Sequence, residues 1–260
     1  NEGDKIAIVA KNGSGKTTLL NILMGKDFAD SGTVIINKDI QVVLFDQEIH
    51  FESGRTITEF IMSLDSPPMQ ALRNYQKSLT SDDSEFMERA FIEMENQKAW
   101  GLENEMKQIL SQLKIIDLNA KMDNLSGGQI KRVALAKLLI ETRVEHKHTL
   151  LIMDEPTNHL DVDMVEWLEQ YLSRAMVTLL LVTHDRYFLD SVCDIIWEIE
   201  DKKLYVHHGA YAQYLENKSI REENLNATID KANNLYRKEL EWMRRQPKAR
   251  TTKSKSLSLI

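Results

Sequence analysis

Leu125-Ser126-Gly127-Gly128-Gln129 stands between two other motifs, and its place in that order decides the fold. Ser126 opens a helical pattern that runs on through Val133, Ala134, Ala136, Lys137 and Ile140. The N–H groups and positive end of such a helix suit an anion. Upstream lies Lys11-Asn12-Gly13-Ser14-Gly15-Lys16-Thr17-Thr18, directly after the apolar strand Lys5–Val9. Its backbone N–H groups would wrap a phosphate at a helix start, with Gly13 and Gly15 allowing close approach. Lys16 would reach the outer phosphates, and the Thr17 hydroxyl would ligate Mg²⁺. The full GxxxxGK[ST] pattern asks for Gly at position 10, where this chain has Ala10. That Cβ costs on the order of 1 kcal/mol if φ is positive there and nothing if φ is negative.

Downstream, Leu150-Leu151-Ile152-Met153-Asp154-Glu155 is an apolar strand ending in paired acids. Carboxylates at the end of a buried strand are expensive unless paired or metal-bound. Read alone, Asp154-Glu155-Pro156-Thr157 could equally be a turn that caps the next helix. With the phosphate loop in the same chain, Asp154 becomes a candidate Mg²⁺ ligand and Glu155 a candidate general base. Two single residues complete the set. Gln47 closes a strand at Gln41–Phe45, and His184 follows Leu180-Leu181-Val182-Thr183.

Phosphate loop, Leu-Ser-Gly-Gly-Gln, acidic strand and His184, in this order, resemble an ATP-binding cassette (ABC) nucleotide-binding domain. The resemblance implies ATP and Mg²⁺ as ligands and ATP hydrolysis as the chemistry. Glu155, His184 and Gln47 would act on the γ-phosphate and the attacking water. Thr17, Gln47 and Asp154 would hold the metal. Lys11, Asn12, Gly13, Ser14, Gly15, Lys16, Thr17 and Thr18 would bind nucleotide in one cassette. Ser126, Gly127, Gly128 and Gln129, with Asp161 of the D-loop, would meet the nucleotide held by a second cassette. One motif set therefore makes two half-sites, and a partner cassette or homodimer is implied.

Within the superfamily, Asp154-Glu155-Pro156-Thr157-Asn158-His159-Leu160-Asp161 and Thr183-His184-Asp185-Arg186-Tyr187-Phe188-Leu189-Asp190 are similar to the soluble tandem-cassette ABC-F class. Gly209-Ala210-Tyr211, followed by a charged helix, looks like the exit of a first cassette into the interdomain linker. Arg237–Arg250 resembles the Uup-type branch. The class implies a cytoplasmic protein that acts on ribosomes. Two alternatives stand beside it: the ATP-binding subunit of an ABC transporter, and an ATPase acting on DNA structures.

Composition adds bounds. The chain has 260 residues, 42% hydrophobic and 28% charged, which is ordinary for a globular protein. No apolar run approaches the roughly 18 residues that span a bilayer. The single cysteine, Cys193, sits in an apolar stretch and reads as a core thiol. His207-His208 lack a suitably spaced partner set and read as strand and turn residues. The net charge is −7, but residues 244–255 hold six bases and no acid, leaving −13 on the rest. Arg244, Arg245, Lys248, Arg250, Lys253 and Lys255 therefore form a local polyanion contact candidate, which the class resemblance implies is ribosomal RNA, with DNA as the alternative. The polar start, Asn1–Lys5, has no initiator Met and reads as a fragment whose preceding β-hairpin lies outside the chain.

The expected fold is α/β: a P-loop cassette at 1–210 with a mostly parallel sheet and a helical subdomain near 56–141, then a helical basic linker at 211–260. Strands are expected at 33–37, 41–45, 149–153, 177–182, 194–199 and 203–207. Helices are expected at 17–24, 56–64, 85–100, 102–113, 162–174, 185–192 and from 211 to about 245, where Pro247 stops the last. Residues 65–83, with Pro67-Pro68 and Ser81-Asp82-Asp83-Ser84, read as loop or mobile insertion.

Overall fold

The computed structural model describes residues 1–11, 13–46, 49–144 and 148–245. Asn12, Gln47, Pro247, Lys248, Arg250, Lys253 and Lys255 lie outside these, and so do the side-chain surroundings of Arg245. The chain divides into two compact units, Asn1–Tyr211 and Ala212–Ile260.

The first unit holds a six-stranded sheet in the order β2-β3-β4-β1-β5-β6. The strands are β1 (Lys5–Ala10), β2 (Ile40–Phe45), β3 (His148–Asp154), β4 (Thr178–Val182), β5 (Ile195–Glu200) and β6 (Lys203–His208). Every pairing is parallel except β5 with β6. Ile6, Ile8, Ile152, Leu180 and Val182 form one buried cluster with Leu20 of α1 (Lys16–Leu23). The alternate residues Ala7, Leu151, Met153, Leu179 and Leu181 are almost fully buried too. Both faces are therefore covered, which accounts for the near-continuous apolar runs of β3 and β4.

Helix α1 ends where the sequence places its stop. Gly25 has φ 68°. Its N–H donates to the Ile22 carbonyl and the Lys26 N–H to the Asn21 carbonyl, a Schellman closure. Helices α2 (Ile57–Met62), α3 (Pro67–Ser78), α4 (Ser84–Asn96) and α5 (Leu102–Gln112) follow β2, and α6 (Gly127–Val144) leads back to the sheet. Thr56 and Glu59 form a reciprocal capping box at the start of α2. Helices α7 (Val162–Arg174) and α8 (Arg186–Val192) complete the unit.

Two expectations fail outright, and a third is trimmed: the helix expected at 85–100 stops at Asn96, where the chain turns left-handed at Lys98 with φ 52°. Residues 67–78 are helix, not loop. Pro67 and Pro68 occupy the first two helical positions, where a missing N–H costs nothing. Met69, Ala71 and Leu72 are buried, and Asn74 Nδ2 donates to Glu93 Oε2 of α4 at 2.9 Å. Packing thus turns a sequence that looks like a breaker into a helix start. Conversely, residues 33–37 are not a strand. They pair with no strand of the sheet, and Val34, Ile35 and Ile36 stay exposed beside a cavity of about 830 Å³. β-branched residues form a strand only with a ladder partner.

Cys193 is buried at the end of α8, and burial pushes its thiol from 9.0 to about 12. A thiol held neutral is a poor nucleophile. Iodoacetamide should therefore modify Cys193 only as fast as the protein unfolds. Rapid native-state labelling would show an open local structure instead.

The described part of the second unit is helix α9, which begins at the boundary residue and runs Tyr211–Arg245. At a rise of 1.5 Å per residue its 35 residues extend about 52 Å. Leu225, Ile229, Leu235, Tyr236, Trp242 and Met243 are exposed along it. Among the described residues, no helix is long and apolar enough to cross a membrane.

Candidate active site

Three parallel strands deliver the motifs to one edge. Ile8 of β1 lies opposite Val182 of β4, which lies opposite Asp154 of β3. The carboxyl ends of these strands therefore open on one crevice, the usual ligand side of an open α/β sheet. The crevice is a cavity of about 470 Å³ lined by Lys16, Thr17, Asp154, Glu155 and His184 among others.

On the β1 side, Gly13 and Gly15 take left-handed φ values of 78° and 92°. Gly15 is the N-cap of α1, so the helix starts at Lys16 with its free amides aimed at the loop. The Lys16 ammonium crosses the loop and donates to the carbonyls of Ala10 at 2.9 Å and Lys11 at 3.2 Å. Ala10 closes β1 opposite Ile199 and is not among the residues with positive φ. Its Cβ is therefore harmless. The Lys11 ammonium turns to Glu200 Oε1 at 3.1 Å, and Lys11 is not among the residues lining the cavity.

On the β3 side, Glu155 is strained. Its φ is 49°, a left-handed value that costs a non-glycine residue about 1–2 kcal/mol. Its N–H donates to the Val182 carbonyl at 2.8 Å, which fixes the turn against β4. Glu155 Oε2 accepts a long 3.4 Å hydrogen bond from Thr183 Oγ. Oε1 is buried with no hydrogen-bond partner, 3.8 Å from His184 Nε2. Strain and an unsatisfied buried oxygen mark a place where structure serves something other than stability. His184 itself is largely exposed and points into the cavity mouth, where its ring could meet an incoming anion.

Thr17 and Asp154 supply two oxygen donors to the same cavity. Mg²⁺ takes few protein ligands and keeps waters and substrate phosphates, so this pair fits it. No cluster of three or more metal-binding side chains occurs among the described residues. His207 instead faces the buried Glu198 across β5 and β6 at 3.3 Å.

Ser126, Gly127, Gly128, Gln129 and Asp161 do not line this cavity. The Ser126 N–H donates to Gln129 Oε1 at 2.8 Å, and the Gln129 N–H donates to Ser126 Oγ at 3.3 Å. With this capping box closed, Gly127 and Gly128 hold the amides that have no acceptor inside the helix. Asp161 Oδ1 caps α7 through the Met164 N–H at 3.1 Å, and its Oδ2 meets Lys114 Nζ at 2.6 Å. Lys114 belongs to no sequence motif, and Thr183 stands in one only as the residue before His184, so neither contact could be read from the sequence.

The sequence model of the ABC transporter family matches residues 1–158, and an ABC transporter extension model matches residues 197–258. The chain belongs to the ABC transporter family. It is an ABC ATPase domain. It is 40% identical to YfmR of Bacillus subtilis (strain 168), described as an uncharacterized ABC transporter ATP-binding protein, over 98% of this chain and 41% of that one. It is 35% identical to the energy-dependent translational throttle protein EttA of Escherichia coli (strain K12), over 98% of this chain and 46% of EttA. The chain thus spans less than half the length of these relatives. Among solved structures, the ATP-binding subunit of an ABC transporter matches 80% of the chain with TM-score 0.59 and 16% identity. The archaeal ribosome recycling factor aABCE1, in complex with the stalk protein aP1, matches 84% of this chain and 37% of its own at TM-score 0.57 and 23% identity. These two likenesses speak to the fold.

Proposed function

We propose that this chain is the first cassette, at 1–210, and part of the interdomain linker, from 211, of a tandem ABC-F protein that works as an ATP-driven switch on the ribosome. The observation that carries the ATPase chemistry is the buried Oε1 of Glu155, without a hydrogen bond and 3.8 Å from His184 Nε2, in the lining of a cavity shared with Lys16, Thr17, Asp154 and His184. ATP would lie with its β- and γ-phosphates on the amides that start α1 and on the Lys16 ammonium. Glu155 would take a proton from the attacking water while His184 holds the γ-phosphate. Thr17 and Asp154 would hold Mg²⁺, with Gln47 the third ligand that the family resemblance implies, and the ion would supply charge neutralisation at the phosphates. The amides of Gly127 and Gly128, near the cap residues Ser126 and Gln129, would meet the γ-phosphate bound by the second cassette.

Likeness to EttA supports the ribosome over other partners. Charge supports a polyanion contact from the far end of α9, where Arg244 begins a run of six bases. Such a contact weakens with salt because phosphate neutralisation releases counterions.

The test is sedimentation of the whole protein carrying Glu155→Gln with ribosomes. Pelleting in ATP but not in ADP is expected, and it should fade as salt rises. Equal pelleting in both nucleotides, or none in either while ATP binding is intact, refutes the ribosome reading and leaves the ATPase reading standing.

A further inference from the structure

Helix α5, like α4 at Lys98 with φ 52°, ends on a lysine in the left-handed region, but only the α5 lysine is seen to pair with a distant carboxylate among the described contacts. The Lys114 N–H donates to the Ser111 carbonyl at 3.0 Å and the Ile115 N–H to the Leu110 carbonyl at 2.9 Å. That Schellman closure places Lys114 at the residue position usually taken by glycine, with φ 53°. A lysine there is strained, and nothing in the turn itself calls for its side chain. The side chain reaches another part of the chain, with Nζ 2.6 Å from Asp161 Oδ2 and 3.6 Å from Asp163 Oδ2. The Lys114 hydrogen bond holds the Asp161 carboxyl below the usual carboxylate range, and the Asp161 contact raises the lysine.

Asp161 ends a short segment of tight turns that starts at Glu155. The Asn158 N–H donates to the Glu155 carbonyl at 3.3 Å and the Leu160 N–H to the Thr157 carbonyl at 3.1 Å. His159 has φ 71°. It lies against the first turn of α6, and a Cβ placed on Gly128 would meet the His159 Cβ at 3.5 Å. The stretch 155–161 therefore links the Glu155 carboxylate, the start of α6 and Lys114 at the end of α5.

We propose that Lys114 is a positioning residue: by pairing with Asp161 it fixes the 156–161 segment, and so sets both the Glu155 carboxylate and the face that Gly127 and Gly128 present to a second cassette. The catalytic part of this claim rests on the ATPase reading above. The pair is about half exposed, so it adds little to stability as a surface ion pair. Its value lies in geometry.

Three variants separate the roles. Lys114→Gly removes the charge and relieves the left-handed strain. Lys114→Met removes the charge and keeps the stem. Lys114→Arg keeps the charge. The Gly variant should melt no lower than the wild type. Hydrogen exchange at amides 158–161 should speed up in the Gly and Met variants and stay near wild type in the Arg variant. ATP turnover in the whole protein should fall about two- to fivefold in Gly and Met, the span expected of one half-exposed pair, with KM for ATP unchanged and with rescue by Arg. Unchanged exchange at 158–161 in both Gly and Met overturns the proposal, as does an Arg variant that behaves like Met. A wild-type protein without turnover would defeat the ATPase reading, while the exchange result would still decide whether Lys114 fixes the segment.

Discussion

Glu155→Gln is expected to lower ATP turnover by about 10²- to 10⁴-fold, the range for loss of a general base. The substitution keeps the size and shape of the side chain. Its amide can still face Thr183 Oγ, the partner of Oε2 at 3.4 Å. What it loses is the carboxylate oxygen that sits buried without a hydrogen bond. A buried charge lacking full compensation is costly, so the variant should be as stable as the wild type or more so. ATP affinity should be retained, because Lys16 and the amides that start α1 are untouched. Single-turnover hydrolysis and nucleotide affinity, measured separately, check both halves. Turnover equal to wild type would remove Glu155 from the chemistry and leave its strain at φ 49° without a role.

The second large effect falls on binding. Lys16→Met keeps the stem and deletes the ammonium that donates to the Ala10 and Lys11 carbonyls. Those contacts place the charge inside the loop, where a phosphate would also meet the amides that start α1. A charge-assisted hydrogen bond contributes about 1.5–3 kcal/mol, so two lost contacts to phosphate give about 3–6 kcal/mol. ATP affinity should therefore fall by at least about 10²-fold, a factor of 10 per 1.4 kcal/mol. Titration calorimetry reads this directly. The fold should survive, since Lys16 lies outside the buried cluster built on Ile6, Ile8 and Leu20. An affinity within a few-fold of wild type would mean that nucleotide sits elsewhere than the loop.

Much of the fold was legible because its signals are local. Helices α7 and α9 occupy 162–174 and 211–245, the spans their periodicity predicts. The apolar run of β3 announces a strand buried on both faces, and Gly25 announces the end of α1. The errors come from non-local causes. Pro67-Pro68 reads as a break until burial of Met69, Ala71 and Leu72 makes a helix there. Val34-Ile35-Ile36 reads as a strand, but the pairing that would make it one is absent.

The candidate site divides the same way. Sequence by itself determined which residue types the chain carries for phosphate chemistry and in what order: a glycine-rich loop, a helix-opening Ser-Gly-Gly-Gln, paired acids and a histidine. Each is a short motif whose conformation follows from its own glycines, cap residues or strand end, so it can be read without the rest of the chain. Only the tertiary structure decided what faces what. Sheet order brings Lys16, Asp154, Glu155 and His184 to one cavity although 168 positions separate the first from the last. It leaves Ser126, Gly127, Gly128 and Gln129 outside that cavity. It settles Ala10 as harmless, because φ there belongs to a strand, and it brings Lys114 to Asp161 across 47 positions. Contacts of that kind depend on how helices pack on the sheet, and no local pattern encodes them.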